Sequence, residues 1–194
     1  MNTGYRDAVT LAADTLATLS PKTVCRRCGV HWAEGAYHIP WFNRLCPLSE
    51  AKPPHLIIWL HYLISEGTRE PTGRLISYRE TPGALFYNRN FMGRATRPLA
   101  RCFGADPQAL VRTGLRLGGA VAQGGDAAVT VPALPKFPMT FMVWAGDDEM
   151  APSGNILFDQ TAIGWFGAED LAVIASLGAY EMIAAYRQTT DGVG

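Results

Sequence analysis

AAVTVPALPKFPMTFMVWAG, residues 127–146, contains two stretches with the composition of β-strands. Residues 127–134 and 138–146 are rich in β-branched and aromatic side chains, which fit the pleated surface of a sheet. The sequence Pro-Lys-Phe separates the two stretches and is typical of a turn. We therefore predict a β-hairpin, within an antiparallel sheet against which the remaining elements pack.

Shorter strands and several helices are predicted on either side of this hairpin. Residues 36–50 read as two strands about a turn at Asn43 and Arg44, and residues 74–78 read as another strand. Apolar residues at helical spacing, with proline and capping residues at the ends, predict the helices. The predicted helices cover residues 3–19, 53–67, 107–117 and 169–188, with a short one from Pro21 to Gly29.

The order of these elements predicts the fold class. Hairpins without regular strand–helix–strand alternation are typical of an α+β protein. A length of 194 residues suits one domain, and no repeat or linker divides the chain. We predict a single α+β domain over residues 1–194, with a mainly antiparallel sheet of about five strands packed with about four helices. Residues 84–103 read as irregular and partly helical, and residues 189–194 as a disordered tail.

Composition and the N-terminal sequence bear on location. The chain is 48% apolar and 18% charged, which is ordinary for a globular protein. Its longest apolar run, Leu56–Ile64, has nine residues and includes His61, which is too short for a membrane helix. The first residues carry charges where a secretory signal would be apolar. We expect a cytoplasmic protein whose cysteines are thiols or ligands.

Charge is unevenly distributed along a chain whose net charge is zero. Residues 69–116 hold nine arginines and three acids, which gives +6, whereas residues 117–194 hold two basic and nine acidic residues, which gives −7. We expect the two segments to lie together and neutralise each other. The alternative is that they form faces for a protein partner. Nothing in the sequence supports a nucleic-acid interface.

Cys25 and Cys28 have the C-x2-C spacing of metal-binding knuckles. Cys46 follows after seventeen residues, but position 49 is serine where a zinc ribbon would have its fourth cysteine. His31 is a possible replacement, so these four residues are candidates to hold zinc or an iron–sulfur cluster. The alternative is structural, because PKTVCRRCG reads as a short helix that buries both cysteines on one face.

Acidic residues after the hairpin form a second group of candidates. Asp147, Asp148 and Glu149 are adjacent, and Asp159 lies ten residues after Glu149. Such carboxylates could converge on Mg²⁺ or Ca²⁺, although their order fits no EF-hand loop. The alternative is a solvated acidic turn that meets the arginines of residues 69–116.

His61 lies in the middle of the apolar helix predicted over residues 53–67. It is either a hydrogen-bonded core residue or an axial ligand or acid–base group in a cofactor pocket. Such a pocket would suit a tetrapyrrole, haem or corrinoid, with Arg79 or Arg89 binding its acidic groups. The aromatic residues that would line this pocket are Trp59, Tyr62, Tyr87 and Phe91.

Several unusual strings occur in an order that resembles one uncharacterised family. They are His61-Tyr62-Leu63, Arg79-Glu80, Gly125-Asp126, Trp144, Gly146-Asp147-Asp148-Glu149 and Asn155-Ile156-Leu157-Phe158-Asp159. Over residues 5–180 the chain is similar to the family known as domain of unknown function 3786. The resemblance implies an anaerobic, cofactor-rich setting, since some members are fused to an iron–sulfur domain like that of corrinoid proteins. It implies no activity.

Common catalytic motifs are absent from the sequence: it has no G-x-S-x-G elbow, phosphate-binding loop, G-x-G-x-x-G or H-E-x-x-H. We therefore expect a non-catalytic cofactor- or metal-binding accessory protein of anaerobic corrinoid, tetrapyrrole or iron–sulfur metabolism, working with a protein partner. The candidate cofactor-binding residues are His61, Tyr62, Arg79, Tyr87, Asp126, Asp147, Asp148 and Asp159.

Two other functions stay open at this point. One is an enzyme whose residues are dispersed in the sequence, with His61, Arg79, Asp126 and Asp147 forming the site in space. The other is a protein–protein interaction domain that uses the arginine-rich and acidic faces.

Overall fold

The computed structural model describes residues 3–67 and 70–190. It forms one α+β domain, as the hairpin-rich sequence predicts. The strands form two antiparallel sheets, of five and three strands, where the sequence predicted one sheet of about five. In the described part of the chain, no helix has the length and apolarity to cross a membrane.

The larger sheet contains the predicted hairpin at its centre. Its strands follow the order β4-β8-β7-β6-β5, and each pairs antiparallel with its neighbours. The bounds are β4 Leu75–Ser77, β5 Ala120–Ala122, β6 Ala127–Leu134, β7 Phe137–Trp144 and β8 Ser153–Asp159. Phe137 belongs to β7 rather than to the turn, since it pairs with Leu134. The hairpin is confirmed, with a turn of two residues.

Two strands of this sheet, β5 and β8, were not predicted from the sequence. β8 reads SGNILFD, so turn-forming residues open it and an acid closes it. Its apolar residues are nevertheless buried, because β8 lies between β7 and β4 and pairs with both. A central position in the sheet therefore overrides the weak strand propensity of the ends.

The smaller sheet consists of β1 His31–Ala33, β2 Ala36–Trp41 and β3 Arg44–Pro47 in sequential order. Phe42 and Asn43 connect β2 to β3, and both have positive φ, as in the tight turns that favour hairpins. The predicted turn at Asn43 and Arg44 is one residue too late. Phe42 N–H donates to the Ala133 carbonyl at 3.2 Å, which joins this hairpin to β6.

The predicted helices are present, and further helices accompany them. Their bounds are α1 Thr3–Ala17, α2 Pro21–Cys28, α3 His55–Ile64, α4 Ala84–Phe91, α5 Arg97–Phe103, α6 Pro107–Arg116, α7 Ala162–Trp165 and α8 Ala168–Thr190. The segment 84–103 is helical throughout, because a π-helical turn, Met92–Thr96, joins α4 to α5. The prediction of an irregular stretch there is wrong.

α6 and α8 pack on the same face of the larger sheet. A Cβ on Gly114 would lie 2.4 Å from a Val129 methyl, and one on Gly178 would lie 2.9 Å from the Met139 side chain. Val129 pairs with Phe141, and Phe141 shares a face with Met139 two residues away. Glycine therefore lets both helices approach the hairpin closely.

Two predictions about the C-terminal half need correction. α8 continues through Thr190, so the predicted tail is wrong for residues 189 and 190, and residues 191–194 lie outside the described residues. Within the described residues, no ion pair joins an arginine of 69–116 to an acid of 117–194, although α4 and α6 both contact α8. The two segments therefore lie together as predicted, but without an ion pair between the described arginines of the first and the described acids of the second.

Candidate functional site

The four candidate metal ligands are not brought together. Cys25 and Cys28 lie on α2, which ends at Gly29, whereas Cys46 lies on β3 and His31 on β1 at the other edge of the small sheet. Among the described residues, no three histidine, cysteine or acidic side chains form a group that could hold a metal ion.

Cys28 instead forms part of the contact between α2 and α3. Its side chain is fully buried, and its thiol donates to the Tyr62 carbonyl at 3.5 Å. Burial raises the pKa of the Cys28 thiol, with Arg27 lowering it less. A buried thiol with a raised pKa is a packing residue rather than a ready ligand or nucleophile.

Tyr62 is also a core residue. Its side chain is fully buried, its hydroxyl donates to the Cys28 carbonyl at 2.8 Å, and it accepts from the Lys136 N–H at 3.2 Å. These two bonds tie α3 to α2 and to the β6–β7 turn. Because the Tyr62 hydroxyl both donates and accepts a hydrogen bond within the core, it is not available to a ligand.

His61, next to it on α3, faces α8. Its Nδ1 lies 2.8 Å from Asp170 Oδ2, and about a third of its side chain is exposed. The hydrogen bond to Asp170 is the main cause of the raised pKa of His61. Burial acts in the opposite sense, but its effect on the pKa is smaller. One residue earlier, Glu169 accepts from the Tyr87 hydroxyl at 3.0 Å. The first turn of α8 thus binds α3 and α4 through two neighbouring carboxylates.

The acidic candidates lie at opposite ends of the larger sheet. Asp126 and Asp147 are at the end where β6 begins and β7 finishes, and Asp126 accepts from the Ala145 N–H at 2.7 Å. Asp159 is at the far end of β8, and seven residues of strand span about 20 Å. Asp159 therefore cannot join Asp147 and the exposed Asp148 around one cation.

Each of these carboxylates already has local backbone partners, apart from Asp148. Asp147 Oδ1 accepts from the N–H groups of Glu149 and Met150, which closes its own turn. Asp159 is buried, which raises its pKa, but bonds from Thr161, Gly73 and Thr72 outweigh this effect and leave the pKa lowered. Asp159 thus holds the loop before β4 against the end of β8.

The residues of the dispersed enzyme site are likewise separated. His61 neighbours Tyr62, which contacts the β6–β7 turn, whereas Asp126 and Asp147 lie at the other end of that hairpin. Arg79 follows β4 and lines a cavity whose residues include neither His61 nor Asp126 nor Asp147. The structure does not bring these four side chains together.

A cavity of the predicted aromatic kind does exist, but of the four aromatic residues predicted to line it only Trp59 does so. We call it the Trp41–Trp59 cavity; it has a volume of about 450 Å³ and lies between the β2–β3 hairpin, α3 and α8. The side chains that define it are Trp41, Arg44, Cys46, His55, Trp59 and Glu181, with Glu50 and Lys52 also lining it.

The β2–β3 hairpin supplies one wall of this cavity. Trp41 pairs with Arg44, and Ile39 pairs with Cys46, so all four side chains lie on one face of the hairpin. That face is turned to the core, because Ile39 and Trp41 are buried. The two-residue turn after Trp41 therefore sets Arg44 and Cys46 beside the tryptophan.

α3 supplies the facing wall through His55 and Trp59, which lie one turn apart on one side of the helix. The rings of Trp41, His55 and Trp59 meet edge to face, with centroids 5.4 to 6.0 Å apart. Trp59 is buried, and within the described residues its indole N–H has no hydrogen-bond partner. The N–H is itself buried, so this wall offers aromatic ring surface rather than a donor.

Glu181 of α8 closes the cavity and connects its walls. Its Oε1 accepts from the Trp41 indole N–H at 2.8 Å, its Oε2 accepts from Arg44, and His55 Nε2 lies 3.9 Å from Oε1. The paired carboxylate therefore fixes both the indole and the guanidinium.

Burial controls the chemistry of the cavity's titratable groups. Burial lowers the pKa of His55 below the usual 6.5, and the charge of Glu181 raises this pKa to a lesser degree. The imidazole is therefore neutral at pH 7. Burial raises the pKa of the Cys46 thiol as well. The cavity thus offers a neutral imidazole, which is the form of histidine that binds a metal centre.

Sequence reasoning found two of these residues, Trp59 and Cys46, but assigned them to different sites. The spacing of His55 and Trp59 on one helix face was a readable signal for the missing histidine. The hydrogen bond from Trp41 to Glu181 joins residues that are far apart in the sequence, and no local pattern indicates it.

The fold and the cavity together define an α+β domain with an aromatic, ligand-sized cleft. Residues 20–181 match the family described as domain of unknown function (DUF3786), and the chain belongs to that family. The comparisons with the curated proteins and with the solved structures give no match.

Proposed function

We propose that this chain is a non-catalytic accessory protein that binds a cofactor of the tetrapyrrole class, haem or corrinoid, in the Trp41–Trp59 cavity. The observation that carries the proposal is the neutral imidazole of His55 between two tryptophan rings in a cavity of ligand size. The anaerobic setting and protein partner expected from the family resemblance belong to the same proposal.

His55 is the residue we assign to the cofactor's metal. A metal in a macrocycle needs only one or two side chains from the protein, so one histidine suffices where a site of three ligands is lacking. Less than a third of the His55 side chain is exposed, which leaves it reachable from the cavity. His61 is less suited, because it lies outside this cavity.

The rest of the cavity supplies the other features that a tetrapyrrole requires. Trp41 and Trp59 offer apolar ring surface to the macrocycle. Lys52 is a cation at the rim that forms no ion pair within the described residues. Arg44 has further N–H donors besides those used by Glu181. Such cations suit the acidic side groups of a macrocycle.

The cavity's size limits how much of such a cofactor is enclosed. Its volume of about 450 Å³ lies toward the lower end of the range for small-molecule sites. When bound, the cofactor would supply its metal-centred redox or ligand-exchange chemistry, and the chain's residues would bind it, orient it and exclude water from one side. The dispersed cysteines do not fit zinc or an iron–sulfur cluster.

Absorption spectroscopy of protein purified without air tests this proposal. Titration with haemin or hydroxocobalamin should shift the main absorption band at one equivalent, and His55→Ala should abolish the shift. His61→Ala and His31→Ala are matched controls, since both histidines lie outside the cavity, and each should leave the shift intact. The proposal fails if neither compound binds, or if His55→Ala binds both as well as the wild type.

A second candidate function rests on the arginines without acidic partners. Arg94, Arg97 and Arg101 are exposed at helical spacing along the π turn and α5, and none forms an ion pair within the described residues. This face suits an acidic segment of a protein partner. Polyglutamate should bind at low salt and lose affinity at high salt, and substitution of all three arginines by glutamine should remove the binding.

A further inference from the structure

A second, smaller cavity lies where α4 and the π-helical turn meet the ends of β7 and β8. We call it the Arg79 cavity; it has a volume of about 290 Å³ and shares no residue with the Trp41–Trp59 cavity. The side chains on which its chemistry depends are Tyr78, Arg79, Phe91, Met92, Trp144 and Asn155.

Arg79 is the charged group of this cavity. It is exposed, and within the described residues its guanidinium has no hydrogen bond or ion pair. Its neighbour Glu80 does not neutralise it, because the Glu80 carboxylate caps the 3₁₀ turn of residues 78–80 by accepting from the Ser77 N–H at 2.6 Å. The same cap fixes the backbone that carries Arg79.

Aromatic rings form the apolar wall. Tyr78 and Phe91 are buried and stacked, with centroids 4.3 Å apart and planes 8° from parallel. Trp144 is 38% exposed and lines the cavity from β7. The Tyr78 hydroxyl is unavailable to a ligand, since it donates to the Ala168 carbonyl at 2.9 Å. This wall therefore offers ring surface rather than donors.

Asn155 adds one neutral donor beside the arginine. Its Oδ1 accepts from the Ile156 N–H at 2.9 Å, and among the described residues its amide nitrogen has no hydrogen-bond partner. Gly154 next to it lies so close to the π turn that a Cβ there would be 3.1 Å from the Thr96 carbonyl oxygen. π-Helical turns often occur at functional sites, and this one supplies Met92 and Thr96 to the lining.

We propose that the Arg79 cavity is a binding site for a small planar carboxylate. The arginine fork matches a carboxylate with two parallel hydrogen bonds, and the amide of Asn155 can add a third. Tyr78, Phe91, Met92 and Trp144 favour a flat apolar body. A phosphate could also accept from the arginine but has no flat apolar body for these rings to contact. The residues that line the cavity include no acid that would repel a carboxylate.

Benzoate is the probe that tests this site, with calorimetry as the measurement. We expect saturable binding of one benzoate per chain. Arg79→Gln should raise the dissociation constant about tenfold or more, since it removes a charge-assisted bond pair. Arg89→Gln is the matched control, because Arg89 is also an exposed arginine but does not line the cavity. It should bind benzoate as the wild type does.

Two further probes fix the chemical class. Benzamide has the shape of benzoate without its charge and should bind about tenfold more weakly or worse. Inorganic phosphate should also bind more weakly than benzoate. Trp144→Phe should retain benzoate binding, because the ring wall is kept, and should lose any benzoate-induced change in tryptophan fluorescence. Circular dichroism of each variant checks the fold.

Three results would overturn the proposal. These are the absence of benzoate binding to folded wild-type protein, equal binding to the Arg79→Gln and Arg89→Gln variants, and tighter binding of phosphate than of benzoate. Haemin binding at the Trp41–Trp59 cavity is independent of all three, because the two sites share no residue.

Discussion

His55 and His61 lie on the same helix, are exposed to nearly the same degree, and each faces a carboxylate of α8, yet their pKa values move in opposite directions. His61 is 2.8 Å from Asp170, and this hydrogen bond outweighs burial. His55 is 3.9 Å from Glu181, which is already bound by Trp41 and Arg44, so burial dominates. Whether the carboxylate makes a direct bond therefore decides the direction in which each histidine's pKa moves.

Glu181→Ala should have the largest effect on this pair of sites. It leaves the buried Trp41 indole N–H without an acceptor and removes the partner of Arg44, so the free energy of unfolding should fall by about 2 kcal/mol. It should also lower the pKa of His55 further. Urea unfolding and NMR titration measure the two changes. Glu50→Ala, another acid of the same cavity, is the control and should change stability little.

Asp170→Asn should have the next largest effect. It weakens the bond that holds His61, so we expect a loss of about 1 kcal/mol in the free energy of unfolding near pH 6. The pKa of His61 should fall and approach that of His55, which would abolish the contrast between them. An NMR titration in which His61 kept its raised pKa would contradict the assigned cause.

The pH dependence of stability should show the two histidines acting in opposite senses. His61 has a folded-state pKa above the unfolded value of about 6.5, so its contribution is present below that pH and is lost as the pH rises through the folded pKa. His55 has a lowered folded-state pKa, so stability rises with pH between that pKa and about 6.5.

Single variants separate the two parts of the stability–pH curve that the two histidines produce. His61→Gln should remove the loss of stability above about pH 6.5, and His55→Gln should remove the rise below it. Urea midpoints measured from about pH 5 to about pH 8.5 give both curves. If both variants lost the same part of the stability–pH curve, the two histidines would not titrate separately.

The sequence predicts the helices and the hairpin better than it predicts the site. The α2 helix ending at Gly29 and the strands of residues 127–144 follow from local composition, and the structure has both. β8 was missed because its strand character comes from pairing with β4 and β7 on its two sides and not from local composition.

The site depends on contacts between distant parts of the chain. Periodicity places His55 and His61 on one helix, but only the packing of α8 determines that Asp170 bonds one and Glu181 merely approaches the other. The same applies to the cysteines, whose spacing suggested a metal site while α2 and β3 keep Cys28 and Cys46 apart.

Glu169→Gln should give the smallest effect, and it tests the long-range part of the contrast. Glu169 raises the pKa of His61 through its charge alone, as the last of the contributing causes. The variant should lower that pKa less than Asp170→Asn does and leave His55 unchanged. Because salt screens charges that are not in contact, the effect should shrink between about 0.02 M and about 0.5 M salt.

Tyr87→Phe separates the charge of Glu169 from its hydrogen bond. This variant removes the bond between Tyr87 and Glu169 but keeps the carboxylate, so the NMR-measured pKa of His61 should not fall. If Tyr87→Phe lowered that pKa as much as Glu169→Gln, the cause would be the position of α4 against α8 and not the charge. In that case the pKa of His61 would depend on how α4 packs against α8. The difference between the pKa values of His61 and His55 would then reflect how firmly each end of α8 is held in place.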